Sequence, residues 1–147
     1  MGRLRNPGIN TSFKSKPQNF KESDSVSCLG VLFQVAAGIF VEGFALAKKC
    51  TNEGRALMQL DYRQFVLKAE AISGLRPLPY QAYVSAYVKA FYIPDSELEL
   101  WVQSHPEYSA AQLVALVNSV AYSNNKTRQK LNALISDLSV RIRRDKF

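Results

Sequence analysis

Tyr80, Tyr83, Val84, Tyr87, Val88 and Phe91 fall at i, i+3, i+4, i+7, i+8 and i+11. That spacing puts all six on one face of an α-helix and would scatter them over both faces of a strand. It predicts a helix over about 79–93, stopped by Pro94. The same period recurs along the chain. Met58, Tyr62, Phe65, Ala69 and Ile72 line one face of a helix over about 52–73, with Thr51 as its cap and Gly74 as its left-handed stop. Leu113, Val114, Leu116, Val117 and Val120 form a run apolar enough to be central, and Leu131, Leu134, Ile135, Leu138 and Ile142 stripe the last helix. No segment alternates with period two. The expected fold is all-α, an antiparallel helical array or bundle of about six helices.

The helix boundaries carry their own signals. Ser96 with Glu99 reads as a capping box for a short helix carrying Leu98, Trp101 and Val102, and His105-Pro106 closes it. Ser109 with Gln112 reads as another, and Asn124 or Asn125 opens the last helix. Ser23, Asp24 and Ser25 offer caps to a first helix running to about residue 49, where Lys48 and Lys49 complement the dipole. The stretch from Leu29 to Ala47 is interrupted only by Gln34 and Glu42. A spanning helix needs about 20 apolar residues, and a carboxylate near its middle costs about 3 kcal/mol. A buried core helix is therefore the favoured reading. Cys28 and Cys50, if both on that helix, lie about 33 Å apart at about 1.5 Å per residue, too far for a disulfide. The first apolar run starts too far in for a signal peptide, so the glycosylation triplets at Asn10 and Asn125 are read as chance matches.

Net charge is +7, and it is concentrated at the ends. Residues 1–24 carry five basic and two acidic side chains; residues 126–147 carry seven and two; residues 25–125 carry seven against eight. The expected organisation is a flexible basic tail over 1–24 and a helical domain over 25–147. Lys126, Arg128 and Lys130 begin the last helix, where cations are mildly unfavourable, while Arg141, Arg143 and Arg144 end it, where the dipole suits them. These six are the candidate contacts for an acidic partner or an anionic membrane surface. A basic helical nucleic-acid-binding module is the alternative, and it predicts steeply salt-dependent binding. With the body neutral, nucleic acid is not the favoured partner.

Catalytic chemistry finds little to work with. There is one histidine, His105, and there is no glycine-rich phosphate loop, no G-x-S-x-G and no H-E-x-x-H. His105 is read as a helix terminator, and Asp95, Glu97 and Glu99 as acids favoured at a helix start. Tyr80, Tyr83, Tyr87 and Tyr92 could stack bases, but three of them share a stripe with Val84 and Val88, which is the pattern of a core face. No catalytic, cofactor or metal residue is assigned, and no small-molecule substrate or cofactor is expected.

Particular segments go further than periodicity. The stretch from Lys48 through Cys50-Thr51-Asn52-Glu53-Gly54-Arg55-Ala56-Leu57-Met58-Gln59-Leu60 to Asp61 resembles the C-terminal domain of the syndetins. Leu75-Arg76-Pro77-Leu78-Pro79, Tyr87-Val88-Lys89-Ala90-Phe91-Tyr92, Trp101 through Glu107-Tyr108-Ser109, Leu116-Val117-Asn118 and Lys126-Thr127-Arg128-Gln129-Lys130-Leu131 are similar and arrive in the same order. The resemblance covers roughly residues 39–138. It implies a subunit of the endosome-associated recycling protein complex, a vesicle tether of helical-rod architecture. Endocytic recycling, partner tether subunits and SNAREs, and a cytoplasmic position peripheral to recycling endosomes or trans-Golgi-related membranes follow from it as expectations. Syndetins are much longer, with an N-terminal coiled-coil region expected to join the other subunits; no sustained heptad array occurs in these 147 residues.

Overall fold

A computed structural model describes residues 22–47 and 51–144. The described residues form six α-helices and no strand: α1 (Glu22–Ala45), α2 (Asn52–Ser73), α3 (Gln81–Ala90), α4 (Asp95–Ser104), α5 (Ala110–Val120) and α6 (Asn125–Arg144). The all-α reading and the number of helices hold.

Local chemistry explains most boundaries. The Thr51 hydroxyl accepts from the Gly54 amide at 3.1 Å and starts α2. At its end Gly74 takes φ 71°, a left-handed conformation that costs glycine little because it has no Cβ, and its amide donates to the Glu70 carbonyl at 2.9 Å. The Ser109–Gln112 box forms in both directions, at 2.9 and 3.2 Å. Asn124 caps α6 by accepting from the Thr127 amide at 3.1 Å.

Other expected boundaries move. The Ser96–Glu99 box does not form, because Pro94 is itself the cap of α4. Ser96 thereby falls inside the helix, and the Glu99 carboxylate meets Lys130 at 2.6 Å instead. Residues 23–25 lie in the first turn of α1 rather than ahead of it, and α1 stops at Ala45. The dipole role read for Lys48 and Lys49, the placement of Cys50 and most of the 1–24 tail lie outside the described residues. Tyr80 precedes α3 in a left-handed conformation, φ 62°, and is exposed, so the inward stripe of α3 begins at Tyr83.

Helix α5 is the hub: α6, α1 and α4 all pack on it, and α4 also meets α6. Helix α3 is the second centre, lying against α1 and α2. Between them Val41, Val84, Tyr87, Phe91, Leu98, Leu116, Val117, Leu131 and Ile135 are almost completely removed from water. Phe40 of α1 meets Tyr62 and Phe65 of α2 at ring distances of 5.1 and 4.8 Å, closing the second side.

The long helices bury less of themselves than their apolar stripes suggest, and this corrects three readings. Helix α3 has 10 residues and α2 has 22, or about 15 Å against about 33 Å at about 1.5 Å per residue. Ile72, placed on the inward stripe by spacing, is 89% exposed, because α2 buries the line of Met58, Tyr62 and Val66 and Ile72 lies about 80° of arc from its centre. Ile142 is exposed because α6, with 20 residues, outruns α5, with 11. The largest correction concerns α1. It buries only the side carrying Phe33, Ala37, Val41 and Phe44, and leaves Val31, Leu32, Val35 and Ile39 open to solvent. It is not the enclosed core helix that its composition suggested.

Deleting side chains at the two kinds of position should separate them. Leu116→Ala empties space at the hub and is expected to cost about 2–5 kcal/mol. Ile72→Ala should stay within about 0.5 kcal/mol of the parent. Urea denaturation followed by circular dichroism reads both.

Candidate functional site

The polar chemistry of the interior gathers where α1, α3 and the α4–α5 connection meet α5. The Tyr87 hydroxyl donates to the Gln112 carbonyl at 2.8 Å, and the Tyr108 hydroxyl donates to the Tyr83 carbonyl at 2.6 Å. The Gln112 side chain donates from Nε2 to a Glu42 carboxylate oxygen at 2.8 Å, while its Oε1 accepts from the Ser109 backbone amide at 2.9 Å. One side chain thus caps α5 and ties it to α1. Tyr83 stacks on Tyr108 at 4.7 Å, and Trp101 lies between Tyr108, at 5.5 Å, and His105, at 4.1 Å.

These tyrosines are fastened into the core, as the stripe reading expected for Tyr83 and Tyr87; Tyr80 and Tyr92 face solvent. Burial pushes the Tyr62 phenol up to about 12. Burial also raises Tyr87, with Glu42 adding to it, and Tyr108, with Glu107 adding to it. Tyr83 moves the same way for the same first cause, opposed by its bond to Gln112. A phenol that keeps its proton in the folded state above the unfolded value of about 10 supports folding below pH 10. That support is lost as pH rises beyond about 10, because the unfolded chain then releases protons that the folded chain still holds. The unfolding free energy should therefore fall steadily above pH 10. Urea titrations across that range test the slope, and a flat profile would contradict it.

His105 ends α4, as its position before Pro106 implied. Its Nδ1 lies 2.8 Å from the Trp101 carbonyl and 3.1 Å from the Ser104 hydroxyl. It borders a cleft of about 730 Å³ with Gln34, Gly38, Tyr80, Tyr83 and Glu107. A second groove of about 410 Å³ runs between α2 and α3 past Arg63, Glu70 and Lys89. Among the described residues, no three His, Cys, Asp or Glu side chains are placed to hold a metal ion.

The six candidate bases do not converge. Lys126 and Arg144 stand about 27 Å apart along α6 at about 1.5 Å per residue. Lys126, Lys130, Arg141 and Arg144 share one side of the helix within about 60° of arc, whereas Arg128 and Arg143 project elsewhere. Two of the three at the helix start have local work. Lys130 pairs with Glu99, and Arg128 donates to Asn125 Oδ1 at 2.8 Å and to the Tyr122 carbonyl at 3.4 Å. Sequence spacing could not show the Lys130–Glu99 pairing across 31 residues, nor the Glu42–Gln112 bond across 70. The only trace of the latter was Gln112 at the third position of a capping box.

Comparison with known proteins places this arrangement. The family model described as "Syndetin, C-terminal" matches residues 11–136. The chain belongs to this family. Among relatives, syndetin of Rattus norvegicus is 47% identical over 107 residues, and the syndetins of Mus musculus and Gallus gallus are each 46% identical over 107. Each syndetin alignment covers 71% of this chain and 11% of the relative, so the chain spans about a tenth of the length of the curated relatives it matches. No solved structure matches it. The syndetin-like segments read from the sequence fall on elements that build the core: α2, the 75–79 connection, α3, α4 with its exit, α5 and the start of α6.

Proposed function

We propose that the chain works as the C-terminal helical domain of a vesicle-tethering subunit, in endocytic recycling at endosomal membranes. The family match across residues 11–136 carries this reading. A six-helix array with Tyr62, Tyr83, Tyr87 and Tyr108 packed into its core supports a domain that binds partners through its surfaces rather than one that turns over a substrate. The partners in this reading are other tether-complex subunits and SNAREs, met at the cytoplasmic side of recycling endosomes or trans-Golgi-related membranes. In this reading the domain covers residues 25–147, with the basic stretch 1–24 ahead of it. The outward bases of α6 are the proposed contact for an acidic partner surface.

Affinity capture from cell extract with the full chain as bait should recover tether subunits or endosomal SNAREs. Recovery of neither contradicts the proposal. The triple variant Lys126→Glu, Arg141→Glu, Arg144→Glu reverses charge on one side of α6 without touching the core. It is expected to weaken capture by about tenfold, since clustered rim charges act mainly on encounter. Unchanged capture would remove that side from the binding surface.

A further inference from the structure

We infer that the outward side of α1 docks the domain on the surface of an anionic lipid bilayer. The inference goes beyond the tethering proposal and does not depend on its protein partners. Val31, Leu32, Val35 and Ile39 are 60, 60, 55 and 66% exposed, while the opposite side of the same helix is sealed in the core by Phe33, Ala37, Val41 and Phe44. The helix is thus apolar on two sides, and the domain covers one. The segment Cys28–Ala45 is long and apolar enough to cross a membrane, with a mean hydropathy of 1.8, yet its inward side is committed to protein. A helix held in this way can lie along a bilayer but cannot span it without dismantling the core.

Shape and charge select the occupant. The four exposed side chains cover about 100° of arc, wider than the seam of a paired helix. Glu42, the one charged side chain between Cys28 and Ala45, is exposed and falls within the same arc, and its Oε1 accepts from Gln112 at 2.8 Å, which holds the carboxylate toward α5. In sequence, α1 is approached through residues 1–21, which hold five bases and no acid, and is left through Lys48-Lys49. Positive charge at both ends sets like against like if two copies pair along α1, whether parallel or antiparallel. The same charge is attracted to a bilayer bearing anionic headgroups.

Vesicle flotation with the full chain provides the test. The chain should float with phosphatidylcholine–phosphatidylserine vesicles and less with phosphatidylcholine alone, and added salt should weaken binding. Val35→Glu and Ile39→Glu sit at exposed positions, so circular dichroism should be unchanged, and each is expected to lower the bound fraction by about tenfold. Binding that survives both substitutions overturns the inference, as does failure of the parent chain to float. Sedimentation equilibrium covers the competing occupant: a dimer that Ile39→Glu dissociates would assign the face to a second copy and overturn it too. Capture of tether partners by Ile39→Glu reads the tethering proposal separately, so either can fail alone.

Discussion

The fold depends on the way α5 is held at its first turn. Gln112 is buried, and its side chain closes the capping box with Ser109 while reaching Glu42 on α1. Its backbone carbonyl accepts the hydroxyl of Tyr87 from α3. One residue therefore fixes the register of three helices by polar bonds, and leaving the buried one with Tyr87 unmade would cost about 1–3 kcal/mol. Once α5 is seated, α4 and α6 close on it, and Leu116 and Val117 are buried along its length.

Much of this was legible because helices announce themselves by period and by caps. Thr51, Gly74, Ser109 with Gln112 and Asn124 do locally what their residue types do in any helix. Ser96 and Glu99 had the right types at the right spacing, yet Pro94 started the helix first and Glu99 found Lys130. Spacing identifies an apolar side, but it does not say how far a neighbour extends along it. Ile142 continues a buried line past the end of the shorter α5, and Ile72 sits off the line that α2 buries.

The surface chemistry was less legible for the same reason. The bases at the start of α6 looked unexplained in sequence because their partners, Glu99 and the Tyr122 carbonyl, are set by folding. The composition of α1 allowed a core helix or a membrane helix, and the chain adopts neither fully: it buries one side and presents another. That open side carries Val31, Leu32, Val35 and Ile39, four large apolar side chains that the core does not use.

Native-state hydrogen exchange tests most directly whether α5 organises the array. Amides from Leu113 to Val117 and from Val84 to Val88 should be the last to exchange, opening only with global unfolding, while the far end of α2 around Ile72 exchanges earlier through local opening. Exchange of α5 ahead of α2 would contradict a fold built on the Gln112 junction.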